Sequence, residues 1–401
     1  MEKYTVIIPT RDRAETLEAT IRTCLRQTYE NFEIIVSDNC SNDNTKDIVD
    51  GLHDSRIRYI NPGRPLSMSG NFEFALAHVT DGFVMFIGSD DGIMPEAINY
   101  VDSIVQKYKV DAVSCQQASY VWPNFPDKTI EGTLTFGVTG RDIEIRASKE
   151  WIAKALSFQT LYCYDLPNLY CGFVHKRVID KAYKDGVYFR SITPDAYSAF
   201  ATAVFVDNYA FSFRPFSICG ASVKSNGATA FYSNDNTEVN KFFSENDIDF
   251  CEGFVNCLSL EIYGAETFAQ LSKAFPEQCA MYNIDYKIML QKALRNVNSK
   301  TEKEVIDAVA IMAKNFSVDM SGDSVGSSLK DFNLQRKLCS LGLMISNPFE
   351  VVEIQKSHLL GIKDINDAAL AAHLLMLCKE SSAFVSRKTL ILRSLARLLG
   401  Y

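Results

Sequence analysis

Positive charge is scarce in this chain. Lys and Arg total 41 against 49 Asp and Glu, for a net charge of −8. A surface built for a polyanion leans on excess cationic side chains, so nucleic acid is not expected as a partner. No uncharged apolar run approaches the roughly 18 residues needed to cross a bilayer, so no membrane span is expected. Cysteines number 11, from Cys24 to Cys378, yet they form no CxxC pair and no Cys/His cluster with zinc spacing. Such a scatter reads as reduced thiols, many of them core filler. The amino terminus, Met1-Glu2-Lys3-Tyr4-Thr5, runs into a strand without the pattern of a signal peptide. Both features point to a cytoplasmic setting. No GxGxxG follows the first strand, which removes support for a dinucleotide-binding fold. Internal repeats and low-complexity tracts are also absent.

What is present is apolar patterning over a long chain. Apolar residues make up 47% of 401 positions, too many for disorder, and the length suggests two or three domains. Tyr4 to Pro9 is continuously apolar and β-branched, as in a doubly buried parallel strand. Leu17, Ile21, Cys24 and Leu25 then share one helical face. Further strands are expected at 32–36, 57–60, 82–87 and 111–115, with helices around 45–52, after Ser69-Gly70-Asn71, and from Pro95. Strand and helix alternating on short connections favour a mostly parallel sheet flanked by helices over residues 1–115. From 116 to 235 the texture is aromatic and irregular, with a strand expected at 169–175 and a helix from a Thr193 cap and Pro194 to about Val206. From 240 to 401 the apolar period is helical: 250–268, 286–294, 302–313 and 368–378. Residues 321–328 read as a Gly/Ser-rich loop.

The most telling stretch is Phe83-Val84-Met85-Phe86-Ile87-Gly88-Ser89-Asp90-Asp91-Gly92. A buried strand that ends in two carboxylates places them at the carboxyl edge of a sheet, where α/β folds bind ligands. Paired carboxylates there suit a hard divalent cation that also holds phosphate oxygens.

Four segments in order carry a family resemblance. They are Val6-Ile7-Ile8-Pro9-Thr10-Arg11-Asp12-Arg13, Val36-Ser37-Asp38-Asn39-Cys40-Ser41-Asn42-Asp43-Asn44-Thr45, Ser69-Gly70-Asn71 and Ser89-Asp90-Asp91. Together they resemble a family 2 glycosyltransferase of the GT-A fold, well over residues 4–115 and more loosely to about 230. Two positions depart from that family's pattern: Arg11 stands where tyrosine is usual, and Ser89 replaces the first acid of the metal motif. The resemblance implies a Rossmann-like GT-A fold with a nucleotide-sugar-binding half at 1–115 and an acceptor-binding half at 116–235. It implies Mn²⁺ or Mg²⁺ on Asp91 chiefly, with Asp90 on metal or ribose. Asp38 would read a pyrimidine base, and Pro9, Thr10, Arg11, Arg13, Asn71 and Ser89 would line the donor site. Asp195 would be the base of an inverting transfer, with Asp185 and Asp207 as runners-up. The implied partners are a nucleoside diphosphate sugar, with UDP favoured, and a glycan or lipid-linked glycan acceptor in capsule or lipopolysaccharide assembly.

Each position also has an ordinary reading. Asp90 and Asp91 could form a solvated turn, Asp38 is ordinary turn chemistry, Asn71 could cap a helix, and Asp195 could serve only a helix dipole. That dipole would lower the Asp195 pKa. His175 reads as a satisfied histidine rather than a ligand, and Ser225-Asn226-Gly227 reads equally as a turn or as a phosphate-closing loop. The basic amphipathic run Arg387 to Leu399 either lies on an anionic membrane at the inner face of the plasma membrane or packs on the domain or a second subunit. Two rival functions remain. A sugar-phosphate nucleotidyltransferase would need glycines that Thr10-Arg11-Asp12-Arg13 lacks, and an inactive sugar-nucleotide- or glycan-binding subunit is kept open by Ser89. A processive synthase is disfavoured, since neither Trp122 nor Trp151 sits in a Q-x-x-R-W pattern.

Overall fold

The computed structural model describes all residues except 124, 139–142, 161, 226–236, 298–300, 322–349 and 381–401. The chain opens with β1 (Tyr4–Thr10), α1 (Ala14–Leu25), β2 (Phe32–Asp38), α2 (Thr45–Gly51), β3 (Ile57–Ile60), α3 (Met68–Leu76), β4 (Phe83–Phe86), β5 (Gly92–Ile93), α4 (Ala97–Tyr108) and β6 (Ala112–Cys115). A more irregular stretch follows, with β7 (Ala118–Val121), β8 (Leu134–Val138), β9 (Ile143–Ala147), α5 (Ser148–Leu156), β10 (Phe173–His175), α6 (Lys176–Lys181), α7 (Pro194–Phe205), β11 (Asn208–Ser212) and β12 (Ser217–Ala221). Helices then dominate: α8 (Thr237–Ser244), α9 (Leu260–Ala274), α10 (Pro276–Cys279), α11 (Tyr286–Arg295) and α12 (Glu302–Asn315). The last described elements are β13 (Glu350–Ile354), a 3₁₀ turn at Ser357–Leu360, and α13 (Ile365–Glu380).

An eight-stranded sheet in the order β3-β2-β1-β4-β10-β6-β11-β9 forms the centre. Its first four strands are mutually parallel, β10 runs antiparallel between β4 and β6, and β9 is antiparallel at the edge. The expected α/β sheet flanked by helices is therefore present. The continuous apolar strands are explained by two-sided burial. Val6, Ile8, Ile34, Val36 and Met85 enter one core with Leu17 and Ile21 of α1 and Ile98 of α4. Ile7, Ile35, Val84 and Phe86 enter a second core with Phe72 of α3, Ile152 of α5 and Ala199 of α7. Burying each such side chain is worth about 1.5–3 kcal/mol, so the strand order is fixed from both faces.

A second sheet, β13-β8-β7-β12-β5, was not legible in the irregular stretch. It is made of strands of two to five residues, and β12 (Ser-Ile-Cys-Gly-Ala) has no clean apolar alternation. It matters because β5 follows the acidic turn directly and pairs Gly92 with Ile218 and Ile93 with Ser217 of β12. Gly92 is required there, since a Cβ would lie 2.9 Å from Thr23 Cγ2.

A third cluster joins α9, α11 and α12 through Ile262, Met289, Leu290, Val305 and Met312. Residues 350–380 return to the first core instead: β13 pairs with β8, and Ile365, Ala368 and Ala372 of α13 pack beside α1 and the second sheet. The helix expected at 250–268 begins only at Leu260. Before it, side chains rather than helical bonds serve the backbone: Glu266 accepts from Cys251 N at 3.0 Å and Gln270 donates to Asp249 O at 2.6 Å. The α4 helix starts after Pro95, because Glu96 takes a left-handed φ of 59°. The strand expected at 169–175 shortens to β10, Asn168 Oδ1 having captured Tyr170 N at 2.7 Å. The basic run 387–399 and most of the 321–328 loop lie outside the described residues.

Candidate functional site

Parallel strands β1 and β4 are neighbours, and both end at the same edge of the main sheet. The loops that leave them line a cavity of about 560 Å³. Pro9 and Thr10 come from the end of β1, Arg11 and Arg13 from the loop after it, and Gly88, Ser89 and Asp90 from the loop after β4. Asn71 of α3 and Asp195 at the start of α7 enter from the far side. The volume lies within the range of ordinary small-molecule sites. Eight of the residues that the sequence singled out for one site thus share one cavity; Asp38 and Asp91 do not line it.

The acidic turn is held from three directions. Thr20 Oγ1 of α1 donates to the carbonyls of Ser89 (2.9 Å) and Asp91 (2.7 Å). Trp122 Nε1 donates to Asp90 O at 2.9 Å. From β12, Gly220 comes so close that a Cβ would lie 1.8 Å from Asp90 O. These contacts divide the two carboxylates. Asp91 points inward: Oδ1 accepts from Gly220 N at 2.7 Å, and Oδ2 accepts from Gly88 N at 2.8 Å and from the Tyr170 hydroxyl. Burial and, secondarily, the neighbouring Asp90 push its carboxyl up to about 6. Asp90 faces the cavity. Ser222 Oγ and N donate to its Oδ2 at 2.6 and 3.3 Å, and among the described residues no donor reaches Oδ1. The sequence expectation placed the metal chiefly on Asp91. In the fold, that carboxylate is engaged by protein donors and its neighbour is the one presented.

Asp195 sits at the first turn of α7 behind Pro194. Its carboxyl pKa is raised, chiefly by burial, with the N–H groups of Asp195 and Ala196 acting in the opposite direction. The helix start was expected to lower it, but here loss of solvation outweighs the dipole. Thr193 occupies the cap position without capping; its hydroxyl pairs instead with Thr267 of α9 at 2.7 Å.

The remaining expected residues divide in the same way. Asp38 is buried, accepting from Ser41 N at 2.9 Å and from the Tyr59 hydroxyl at 2.5 Å. Asn71 lines the cavity but lies inside α3. Its Oδ1 accepts from Ser37 Oγ at 2.9 Å, and Ser67 is the residue that caps the helix, accepting from Gly70 N at 3.0 Å. Arg11 reaches across the cavity to Glu245 at 2.8 Å, while its Nε is buried without a partner. Thr10 Oγ1 and Ser89 Oγ are buried and likewise lack partners. His175 caps α6, accepting from Arg177 N at 3.2 Å, away from the cavity. Ser225 lines the cavity, and 226–227 lie outside the described residues.

Sequence reasoning missed the cover and the fixing residues. The segment from Lys241 to Glu245 closes one wall with Phe242 and Phe243, and Lys224 donates to Asp12 O at 2.8 Å and pairs with Glu15 at 3.0 Å. Tyr170, Gly220 and Ser222 fix the acidic turn through contacts that span up to 132 positions, a separation that no local pattern signals.

Among the described residues no group of three His, Cys, Asp or Glu side chains is placed to hold a metal ion. The donor set does fit a divalent cation shared with a substrate. Such ions are commonly held by one or two carboxylates plus phosphate oxygens and water. Asp90, which lines the cavity, supplies the carboxylate through Oδ1.

Residues 5–162 match the family model described as glycosyl transferase family 2. Over 102 residues the chain is 36% identical to the GalNAc(5)-diNAcBac-PP-undecaprenol beta-1,3-glucosyltransferase of Campylobacter jejuni, covering 25% of this chain and 33% of that protein. Over 91 residues it is 36% identical to the UDP-Glc:alpha-D-GlcNAc-diphosphoundecaprenol beta-1,3-glucosyltransferase WfaP of Escherichia coli, covering 23% of this chain and 36% of that one. The chain thus spans about a third of the length of these relatives. A structure of S. aureus TarS 1–349 in complex with UDP-GlcNAc aligns over 82% of this chain and 92% of that one, at 14% identity and a TM-score of 0.47.

Proposed function

We propose that this chain, which carries a family 2 glycosyltransferase domain over residues 5–162, moves one sugar from a UDP-sugar to a hydroxyl of a lipid-linked glycan, with inversion. The observation that carries this reading is the shared cavity: Asp90, Asp195 and the loop after β1 all line it. The relatives named above support the choice of donor and acceptor class, since their names specify undecaprenol-linked acceptors and, for WfaP, UDP-Glc.

Under this reading Asp90 holds Mn²⁺ or Mg²⁺ together with the donor diphosphate. When bound, the cation neutralises the charge that builds up on the departing UDP. Thr10, Arg11 and Ser89, which line the cavity, hold the donor's polar groups. Asp195 accepts the proton of the acceptor hydroxyl as its oxygen bonds to the anomeric carbon and the carbon–oxygen bond to diphosphate breaks. A raised pKa makes Asp195 a stronger base than an ordinary aspartate. Asp91 positions this apparatus by fixing the turn. Asp38, held by Tyr59, shapes the base end from behind the cavity wall.

No described helix is long and apolar enough to cross a membrane. An acceptor on a lipid would bring this chain to the membrane surface. The test is release of UDP from a panel of UDP-sugars with and without Mn²⁺. Metal-dependent release lost in Asp90→Asn and Asp195→Asn supports the proposal, and no release with any donor refutes it.

A further inference from the structure

A second cavity, of about 250 Å³, lies next to the one described above. It sits between the end of α5 with its following loop, α7, α9 and α11. Tyr162 and Leu260 line both cavities, so the two are separated by a shared wall. Tyr162 is also the link to the chemistry. Its phenol pKa is raised well above the usual range by burial first and then by the charge of Asp195. The second cavity therefore lies across one tyrosine from the proposed base.

The lining has two characters. Tyr162, Phe158 and Phe200 supply aromatic surface. The polar lining comes from Glu261, Asn296, Gln159 and Thr160, whose Oγ1 is buried with no hydrogen-bond partner among the described residues. Asn296 Nδ2 donates to Glu261 Oε1 at 2.5 Å, and Ser259 donates to Glu261 Oε2 at 2.8 Å, so the carboxylate is held in place at the rim. Aromatic surface against C–H bonds, with a carboxylate and amides for hydroxyls, is the chemistry that recognises a pyranose. The floor is kept open by Gly264 of α9. A Cβ there would lie 3.5 Å from the Tyr162 ring, ordinary contact, so a larger side chain would enter the cavity without displacing backbone.

We infer that this cavity is a subsite for the acceptor's second sugar, the residue one glycosidic bond away from the one whose hydroxyl reacts. This rests on the transferase reading and extends it. A sugar seated behind Tyr162 tethers the glycan so that the neighbouring ring presents its hydroxyl to Asp195. The enzyme then selects acceptors by chain length, preferring at least a disaccharide to a monosaccharide.

The test uses p-nitrophenyl mono- and disaccharides of glucose, galactose and their N-acetylhexosamines as acceptors, with release of UDP to water measured in parallel. The full chain is compared with Gly264→Leu, which fills the cavity, and with Asn296→Ala at the exposed rim, which leaves the core untouched. Wild type is expected to use its best disaccharide with kcat/KM at least tenfold above the matching monosaccharide. Gly264→Leu should erase that ratio, and Asn296→Ala should lower it, chiefly through KM. Monosaccharide transfer and UDP release to water should stay within twofold. A wild-type ratio near one overturns the inference, as does a ratio that survives both variants, and either result leaves the transferase reading standing. Loss of all transfer and all UDP release in wild type sinks both.

Discussion

Replacing each member of the acidic pair by asparagine separates a ligand from a structural carboxylate. In Asp91→Asn the new amide must turn its NH₂ either to Gly220 N, which now approaches at 2.7 Å, or to Gly88 N, at 2.8 Å, both of them donors. A peptide N–H and an amide N–H would then face each other without acceptors in the interior. Each unsatisfied buried group costs about 1–3 kcal/mol, for a total of roughly 2–6 kcal/mol. At about 2–4 °C per kcal/mol, melting should fall by roughly 4–24 °C. Asp90→Asn keeps an oxygen to accept from Ser222 and removes the charge that helps hold Asp91 up near 6. Its melting temperature should stay within about 3 °C of wild type. Ligand response should invert the pattern. UDP should raise melting more with Mn²⁺ than without, because a ligand of the native state stabilises it. Asp90→Asn should lose the metal increment and Asp91→Asn should keep it. Differential scanning fluorimetry reads both quantities on the same plate. If Asp91→Asn melts like wild type and alone loses the increment, the division of roles drawn here is wrong.

Other consequences follow from the same geometry. Because the Asp195 pKa is raised, the proton-accepting form is lost as pH falls through that elevated value, so the acidic limb of kcat/KM should lie above the ordinary aspartate value of about 3.9. Asp195→Asn should lower kcat by about 10²–10⁴ while leaving the UDP-induced thermal shift unchanged. Gly220→Ala would drive a methyl group to 1.8 Å from Asp90 O, and should cost more than about 3 kcal/mol and abolish donor turnover together; normal melting would refute the close packing of β12 on the acidic turn. Glu245→Ala releases Arg11 from a partly exposed ion pair, so stability should change by less than about 1 kcal/mol. The freed guanidinium should lower the KM for donor, which steady-state UDP release measures.

The first half of the fold was legible because its strands are buried on both faces and its helices on one. Val6 and Ile7, or Val84 and Met85, enter opposite cores, and two-sided burial writes itself as a continuous apolar run. The candidate site was legible where residues end or follow a strand, as with Thr10 at the end of β1 and Asp90 in the turn after β4. What could not be read was orientation. Asp90 and Asp91 are adjacent, and only the approach of Gly220 and Tyr170 from distant segments decides which one faces the cavity. The Asp195 pKa failed for a related reason, since the helix start is local but the burial that outweighs it comes from tertiary packing. The second sheet escaped because its strands are too short to show a period.

Turnover of UDP-sugars in the presence of Mn²⁺ tests the central claim most directly. The wild-type chain should release UDP from at least one donor, and Asp90→Asn and Asp195→Asn should each reduce that rate by at least a hundredfold while remaining folded. Undiminished release by either variant, or none from any donor by wild type, would contradict the account.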